Sequence, residues 1–224
     1  LTRKIPKLMK ILQLNTWCGR LENQIVNLLK HENADVVCLQ EIVQVPGGKS
    51  FFFLDLEELQ KACNYEYTHF TSSRSFRYMK RVATWGNAIL SRQSFLETDD
   101  TYVYTEPIKD FDFLHDRLTN AGRALQHAVV ETSTGNLHIL NHHGHHLPEH
   151  KNGDGETMRQ CGMIADYIKS LQGPVVLCGD FNLVPDSPSI ELINKILVNH
   201  VKERGVLTTR TPLTHKTEAC DYIF

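Results

Sequence analysis

The chain has 224 residues, 41% hydrophobic and 22% charged, with a formal net charge of -2. Those values suit a folded core and exclude a disordered segment, and the near-neutral balance excludes a global electrostatic pull on nucleic acid. Attraction for phosphate must then come from a local patch or a bound metal. Six cysteines (Cys18, Cys38, Cys63, Cys161, Cys178, Cys220) form no C-x-x-C pair, which reads as reduced, buried thiols of a cytoplasmic protein. The first apolar stretch, residues 8–14, is broken by Lys10 and Gln13; it is too short and polar for a signal peptide or a membrane span.

In chain order, residues 10–15 read as a strand and 22–33 as a helix with Ile25, Leu28 and Leu29 at helical spacing. Residues 35–41 hold the buried strand Val36-Val37-Cys38-Leu39, and 54–62 a helix with Leu56 and Leu59 inward. Residues 46–52 form a glycine-containing loop. Arg74, Arg77, Lys80 and Arg81 interleave with Phe76 and Tyr78; a solvated hairpin arm is preferred there to a phosphate contact. Residues 85–91 read as a strand, and 98–120 as a long acidic surface excursion. Residues 124–131 and 137–142 are strands joined by Ser133-Thr134-Gly135-Asn136, with the turn placed at Gly135-Asn136. Residues 156–171 are helical and 174–178 are a buried strand. Ser187 caps a helix that starts at Pro188 and runs to 197. No repeat or linker divides the chain, so residues 1–224 are taken as one domain. Mixed strands and helices favour packed sheets with flanking helices, an α/β or α+β sandwich.

Four apolar strands end on polar groups: Asn15; Gln40 and Glu41; Asn141, His142 and His143; Asp180 and Asn182. One such end is ordinary, because a strand leaving the core must meet water. Four of them suggest a shared rim. Glu41 can hold a hard cation, Asp180 can polarise a water, and Asn182 and Asn15 can grip phosphate oxygens. His142 and His143 compete for one place, since alternation turns only one inward. Lys151, Asn152 and Gly153 fit either a substrate loop or a plain turn.

The runs Leu14-Asn15-Thr16-Trp17, Leu39-Gln40-Glu41, Trp85-Gly86-Asn87-Ala88-Ile89-Leu90-Ser91 and Gly179-Asp180-Phe181-Asn182 stand in that order. Together they resemble the endonuclease/exonuclease/phosphatase superfamily, which includes DNase I-like nucleases, abasic-site endonucleases, deadenylases and neutral sphingomyelinases. The resemblance implies a four-layered sandwich of two mixed β-sheets flanked by helices. It also implies hydrolysis of a phosphate ester by water, aided by Mg²⁺ or Mn²⁺. By position, Glu41 matches the metal-binding glutamate and Asn15 an asparagine supporting metal and phosphate. Asp180 matches the water-orienting aspartate and Asn182 the phosphate-holding asparagine. His143 matches a phosphate-side histidine, Asp221 an aspartate that orients a later histidine, and Arg123 a phosphate-facing arginine. A closing Ser-Asp-His motif is implied too, and the 224 residues contain none. The chain is therefore expected to lack that last strand and motif, and to be weak or inactive as it stands. The substrate stays open among nucleic acid, a phospholipid head group and a small phosphate ester, and a monomer is expected. Two other classes are a catalytically silent binding module and a zinc hydrolase built on residues 142–146.

Overall fold

In the computed structural model, residues 8–47 and 54–224 are described. The first sheet holds β1 (Ile11–Asn15), β2 (Val36–Gln44), β3 (Tyr67–Tyr78) and β4 (Arg81–Ser91) in the order β1-β2-β4-β3. The second holds β5 (Phe95–Tyr102), β6 (Ala124–Thr132), β7 (Gly135–His143), β8 (Val175–Asp180) and β9 (Asp221–Ile223), in chain order. Both are mixed: β1 and β2 are parallel, as are β7 and β8, and the other pairs are antiparallel.

Period-2 alternation assigns the faces. Val36, Cys38 and Ile89 pack across onto Ala128, Val130, Ile139 and Cys178 of the second sheet. Their neighbours Val37, Leu39 and Leu90 point the other way, onto Ile25 and Leu29 of α1 (Glu22–Glu32) and Leu56 and Leu59 of α2 (Leu56–Cys63). On the far side, Leu125, Leu140 and Leu177 meet α3 (Gly155–Ser170) and α4 (Pro188–Asn194) through Ile164, Ile168, Ile190 and Ile193. The result is four layers, helix–sheet–sheet–helix, as the resemblance implies. A short α5 (His200–Glu203) follows α4.

Buried amides cross the space between the sheets. Gln13 donates to Gln40 (2.7 Å), Gln40 to Asn141 (2.6 Å), Asn141 to Gln126 (2.8 Å) and Gln126 to Thr71 (2.9 Å). Each amide of this run therefore has a partner, which the low-dielectric interior demands. Asn141, expected at the rim, sits inside this chain.

Several expectations need correction. The excursion read over residues 98–120 begins as strand, because β5 runs on to Tyr102. Glu97 and Asp99 alternate outward on this sheet edge, and such charges hide a strand from pattern reading while protecting the edge. The rest of the excursion is not wholly superficial either, since Phe111 is buried against Phe76. The hairpin turn falls at Ser133-Thr134, because Thr132 pairs with Gly135. Asp55 lies before α2 as its cap and accepts the Glu57 and Glu58 N–H groups. The 46–52 loop shows a turn at Pro46-Gly47, and its remainder lies outside the described residues.

Candidate active site

The rim forms at one end of the two sheets, where a cleft of about 1040 Å³ is lined by Asn15, Glu41, Arg123, His143, Asp180, Asn182 and Asp221. All seven residues singled out from the sequence line this one cleft.

Glu41 gets there through an irregularity. From Leu39 to Ile42, β2 uses three steps where β4 uses two, Ala88 to Gly86. The extra residue is a β-bulge, and Glu41 takes a left-handed φ of 57°. Gln40 can then point between the sheets while Glu41 turns into the cleft. Asn182, just after β8, has a φ of 56°. Trp17 and Cys18, which also line the cleft, share this costly region, so four of the nine described non-glycine residues with positive φ lie in the cleft.

Asn15 ties the carboxylates together. Its Nδ2 donates to Glu41 Oε1 (3.2 Å) and Asp180 Oδ2 (3.0 Å), while its Oδ1 accepts the Trp17 N–H (2.9 Å). It therefore spaces the two carboxylates and offers its nitrogen to them. Asp180, 2% exposed, also accepts the Asn182 N–H at Oδ1 (2.9 Å) and lies 3.6 Å from Arg210 Nη1. Asp221 pairs with Asp180 across the β8–β9 ladder. Burial and then Asp180 push its carboxyl above the usual range, although Thr209 (2.6 Å) and Gln13 (3.2 Å) donate to it.

The histidines diverge. His143 faces the cleft, with Nε2 3.9 Å from Glu41 Oε1, and burial followed by the Arg123 charge holds its pKa well below the ordinary value. His142 points to the opposite face, bonded to the Ala124 carbonyl (2.9 Å) and packed on Phe181, and burial lowers it to about 4. His145 lies edge-on to Tyr104, and His146 Nδ1 meets Asn182 Oδ1 (3.1 Å). Four imidazoles directed apart make no common zinc site, and no group of three His, Cys, Asp or Glu fit to hold a metal occurs among the described residues.

For the Mg²⁺ that the resemblance implies, the cleft offers one oxygen ligand from Glu41. Glu41 gives one hard carboxylate at the cleft wall, and the remaining coordination positions would face water and substrate oxygens, as this ion prefers. A closed protein cage would suit it less well.

Sequence reasoning missed Cys18 and Arg74 of the cleft, and left Lys151, which bonds to the cleft residue Asn182, open between a substrate loop and a turn. Cys18 donates to Glu41 Oε2 (3.3 Å). Lys151 is buried and donates to Asn182 Oδ1 (3.0 Å), with burial lowering its pKa to about 8. Arg74 is no solvated arm: it is 4% exposed and lines the cleft. From Ser72 to Arg74, β3 uses two steps where β4 uses one, Gly86 to Trp85, so Ser73 is extra and the alternation reverses. No local pattern announces that reversal. Gly144 permits the loop after β7 to cross β8's end, since a Cβ there would lie 2.4 Å from the Phe181 carbonyl oxygen.

Comparison with curated protein sequences gives no match. Among solved structures, an endonuclease/exonuclease/phosphatase family protein from Leptotrichia buccalis superposes with a TM-score of 0.62 at 18% identity, covering 97% of this chain and 87% of its own. The human Nocturnin catalytic domain with bound sulfate anion gives 0.66 at 16% identity, covering 97% and 82%. A mannosyl-6-phosphatase from Bacteroides thetaiotaomicron gives 0.63 at 15% identity, covering 96% and 84%. At these identities the likeness establishes the fold. A match to the family itself spans residues 12–224, and the chain belongs to the Endonuclease/Exonuclease/phosphatase family.

Proposed function

We propose that this chain carries the site of a Mg²⁺-dependent (or Mn²⁺-dependent) phosphoesterase, a monomeric cytoplasmic enzyme that cleaves by in-line attack of water. The observation that carries the reading is the Asn15 amide spanning Glu41 and Asp180, with His143 beside Glu41. A cation on Glu41 would neutralise charge on the phosphoryl oxygens. Asp180, fixed by Asn15 and the Asn182 N–H, keeps lone pairs free to orient the attacking water and take its proton. His143, neutral at physiological pH, can donate a hydrogen bond to a phosphoryl oxygen. Lys151 fixes Asn182 Oδ1, which leaves an Asn182 N–H for the phosphate. Asp221 is placed to hold or orient a proton beside Asp180. Neighbouring structures include a mannosyl-6-phosphatase and a sulfate-bound Nocturnin domain, so oxyanion substrates suit this fold.

The test is a phosphoester panel in Mg²⁺, run on the natural protein carrying these residues and on its Glu41→Gln and Asp180→Asn variants. Loss of turnover by on the order of 10³-fold with unchanged folding is expected. Turnover that survives either change, or that persists in EDTA, removes the reading.

A further inference from the structure

The arm formed by β3 and β4 runs on past the cleft. Arg74 pairs with Trp85, both at the cleft wall, and the ladder continues to Tyr78 opposite Arg81. At about 3.4 Å per residue, the four further residues place the tip roughly 14 Å from Arg74. The turn at the tip is Met79-Lys80, and both residues take a left-handed φ, 46° and 65°. This is the two-residue hairpin form that Asn-Gly favours, and longer side chains make it costly. Outside the cleft, the other described non-glycine residues of positive φ are Asn33, Asn64 and Asp110, types that tolerate that region. Met79 and Lys80 are not of those types. Both are exposed, Met79 by 61%, so packing does not account for them.

Apolar and basic groups surround this tip. On one face of the arm, half-exposed Val82 stands opposite Arg77 in the register. On the other, Phe113 packs edge-on to Phe76, with 5.2 Å between ring centroids, and brings the neighbouring Leu114, 89% exposed, alongside the arm. Arg77, Lys80 and Arg81 supply three positive charges, and residues 74–82 contain no Asp or Glu, in a chain of formal net charge -2. The carboxylates of the adjoining loop are engaged. Asp110 lies 3.8 Å from Arg77, Asp112 meets the Leu114 N–H (2.8 Å) and His115 (2.7 Å), and Asp116 accepts the Asp112 N–H (2.8 Å).

We propose that the tip of the β3–β4 arm, with Leu114 beside it, docks this protein on an anionic lipid surface. The basic side chains match the charge of such a surface, and methionine, valine and leucine side chains can enter the headgroup region without a shaped pocket to receive them. A nucleic-acid strand stacks its bases on open aromatic faces, whereas Phe113 lies edge-on against both Phe76 and Phe111. The dock requires no catalysis, so it stands or falls apart from the phosphoesterase reading.

Vesicle sedimentation in EDTA tests it, with the natural protein carrying these residues. Vesicles of phosphatidylcholine and phosphatidylserine in equal parts should bind roughly tenfold or more tightly than phosphatidylcholine alone. Lys80→Glu should remove that preference, and Leu114→Asp should weaken binding by a similar factor. Met79→Asn with Lys80→Gly should also lose binding while its urea midpoint holds or rises, because the turn is then built of residues that accept it. A merely structural role for the turn would not separate those two readouts. Should the midpoint of the paired change fall, Lys80→Glu and Leu114→Asp, both at exposed positions, carry the test. Equal affinity for the two vesicles, no sedimentation with either, or binding unaltered by Lys80→Glu or by Leu114→Asp overturns the dock. So does tighter binding of a single-stranded oligothymidylate than of the anionic vesicles, which would assign the tip to nucleic acid.

Discussion

Replacing Asn141 with Leu isolates the polar seam between the sheets. The two side chains are close in volume, so little cavity forms and the effect is one of hydrogen bonding. Asn141 is fully buried; it accepts from Gln40 and donates to Gln126 (2.8 Å), the Leu39 carbonyl (3.0 Å) and, more weakly, the Ala88 carbonyl (3.3 Å). Leucine leaves the Gln40 N–H and the Gln126 carbonyl facing apolar atoms. Each stranded buried group costs about 1–3 kcal/mol, so a loss of about 2–6 kcal/mol is expected from the two. That is a large part of a typical domain's total of about 5–15 kcal/mol. Urea unfolding followed by circular dichroism at pH 7 measures it. Gln126→Met should cost less in the Asn141→Leu background than alone, because its partner has already gone. A single-variant loss under about 1 kcal/mol, or strict additivity in the cycle, would refute the account of these amides as one connected unit.

Other outcomes follow from named contacts. Glu41→Gln should abolish Mn²⁺ binding read by electron paramagnetic resonance while the urea midpoint stays within experimental scatter; retained binding would place the ion elsewhere. His142 titrates at about 4 when folded, against an ordinary 6.5. The unfolded chain therefore binds the extra proton first as pH falls, and His142's contribution is complete above about 6.5 and lost towards 4. Between pH 7 and pH 5 it removes about 2 kcal/mol, and His142→Leu should flatten that part of the stability profile. Asp55→Ala should cost about 2 kcal/mol or more in denaturant melts, because the buried carboxylate accepts from Val45, Glu57 and Glu58 N–H groups. Gly144→Ala should cost about 1–3 kcal/mol, since its Cβ would overlap the Phe181 carbonyl; phosphate affinity should fall with it as His143 is displaced.

Much of this was legible in the sequence, for identifiable reasons. The apolar strands of the sandwich announce themselves by composition, and Ser187-Pro188 declares the start of α4 through cap chemistry alone. Rim residues were legible because apolar strands end on them. The rest depended on register. A polar edge strand such as β3 carries too few apolar residues to read, and the bulge at Ser73 reverses which side of it faces inward. Arg74 therefore looked solvated. Lys151 stayed open between a substrate loop and a turn because only the folded chain brings it to Asn182. Asn141 looked like a rim residue because it adjoins His142 and His143, and the bonds that claim it come from strands about fifteen and a hundred residues away.

The division of the sheets has a consequence for assembly. Every strand of the first sheet lies between residues 11 and 91, and every strand of the second between 95 and 223. Only Arg92, Gln93 and Ser94 pass between them. Asn15 and Glu41 belong to one half, and His143, Asp180, Asn182 and Asp221 to the other. The chain is thus laid out as two successive half-proteins, neither of which holds the whole cleft. Cut at this crossing, the pieces would be candidates for complementation, with the proposed metal and phosphate binding expected only as the halves mate.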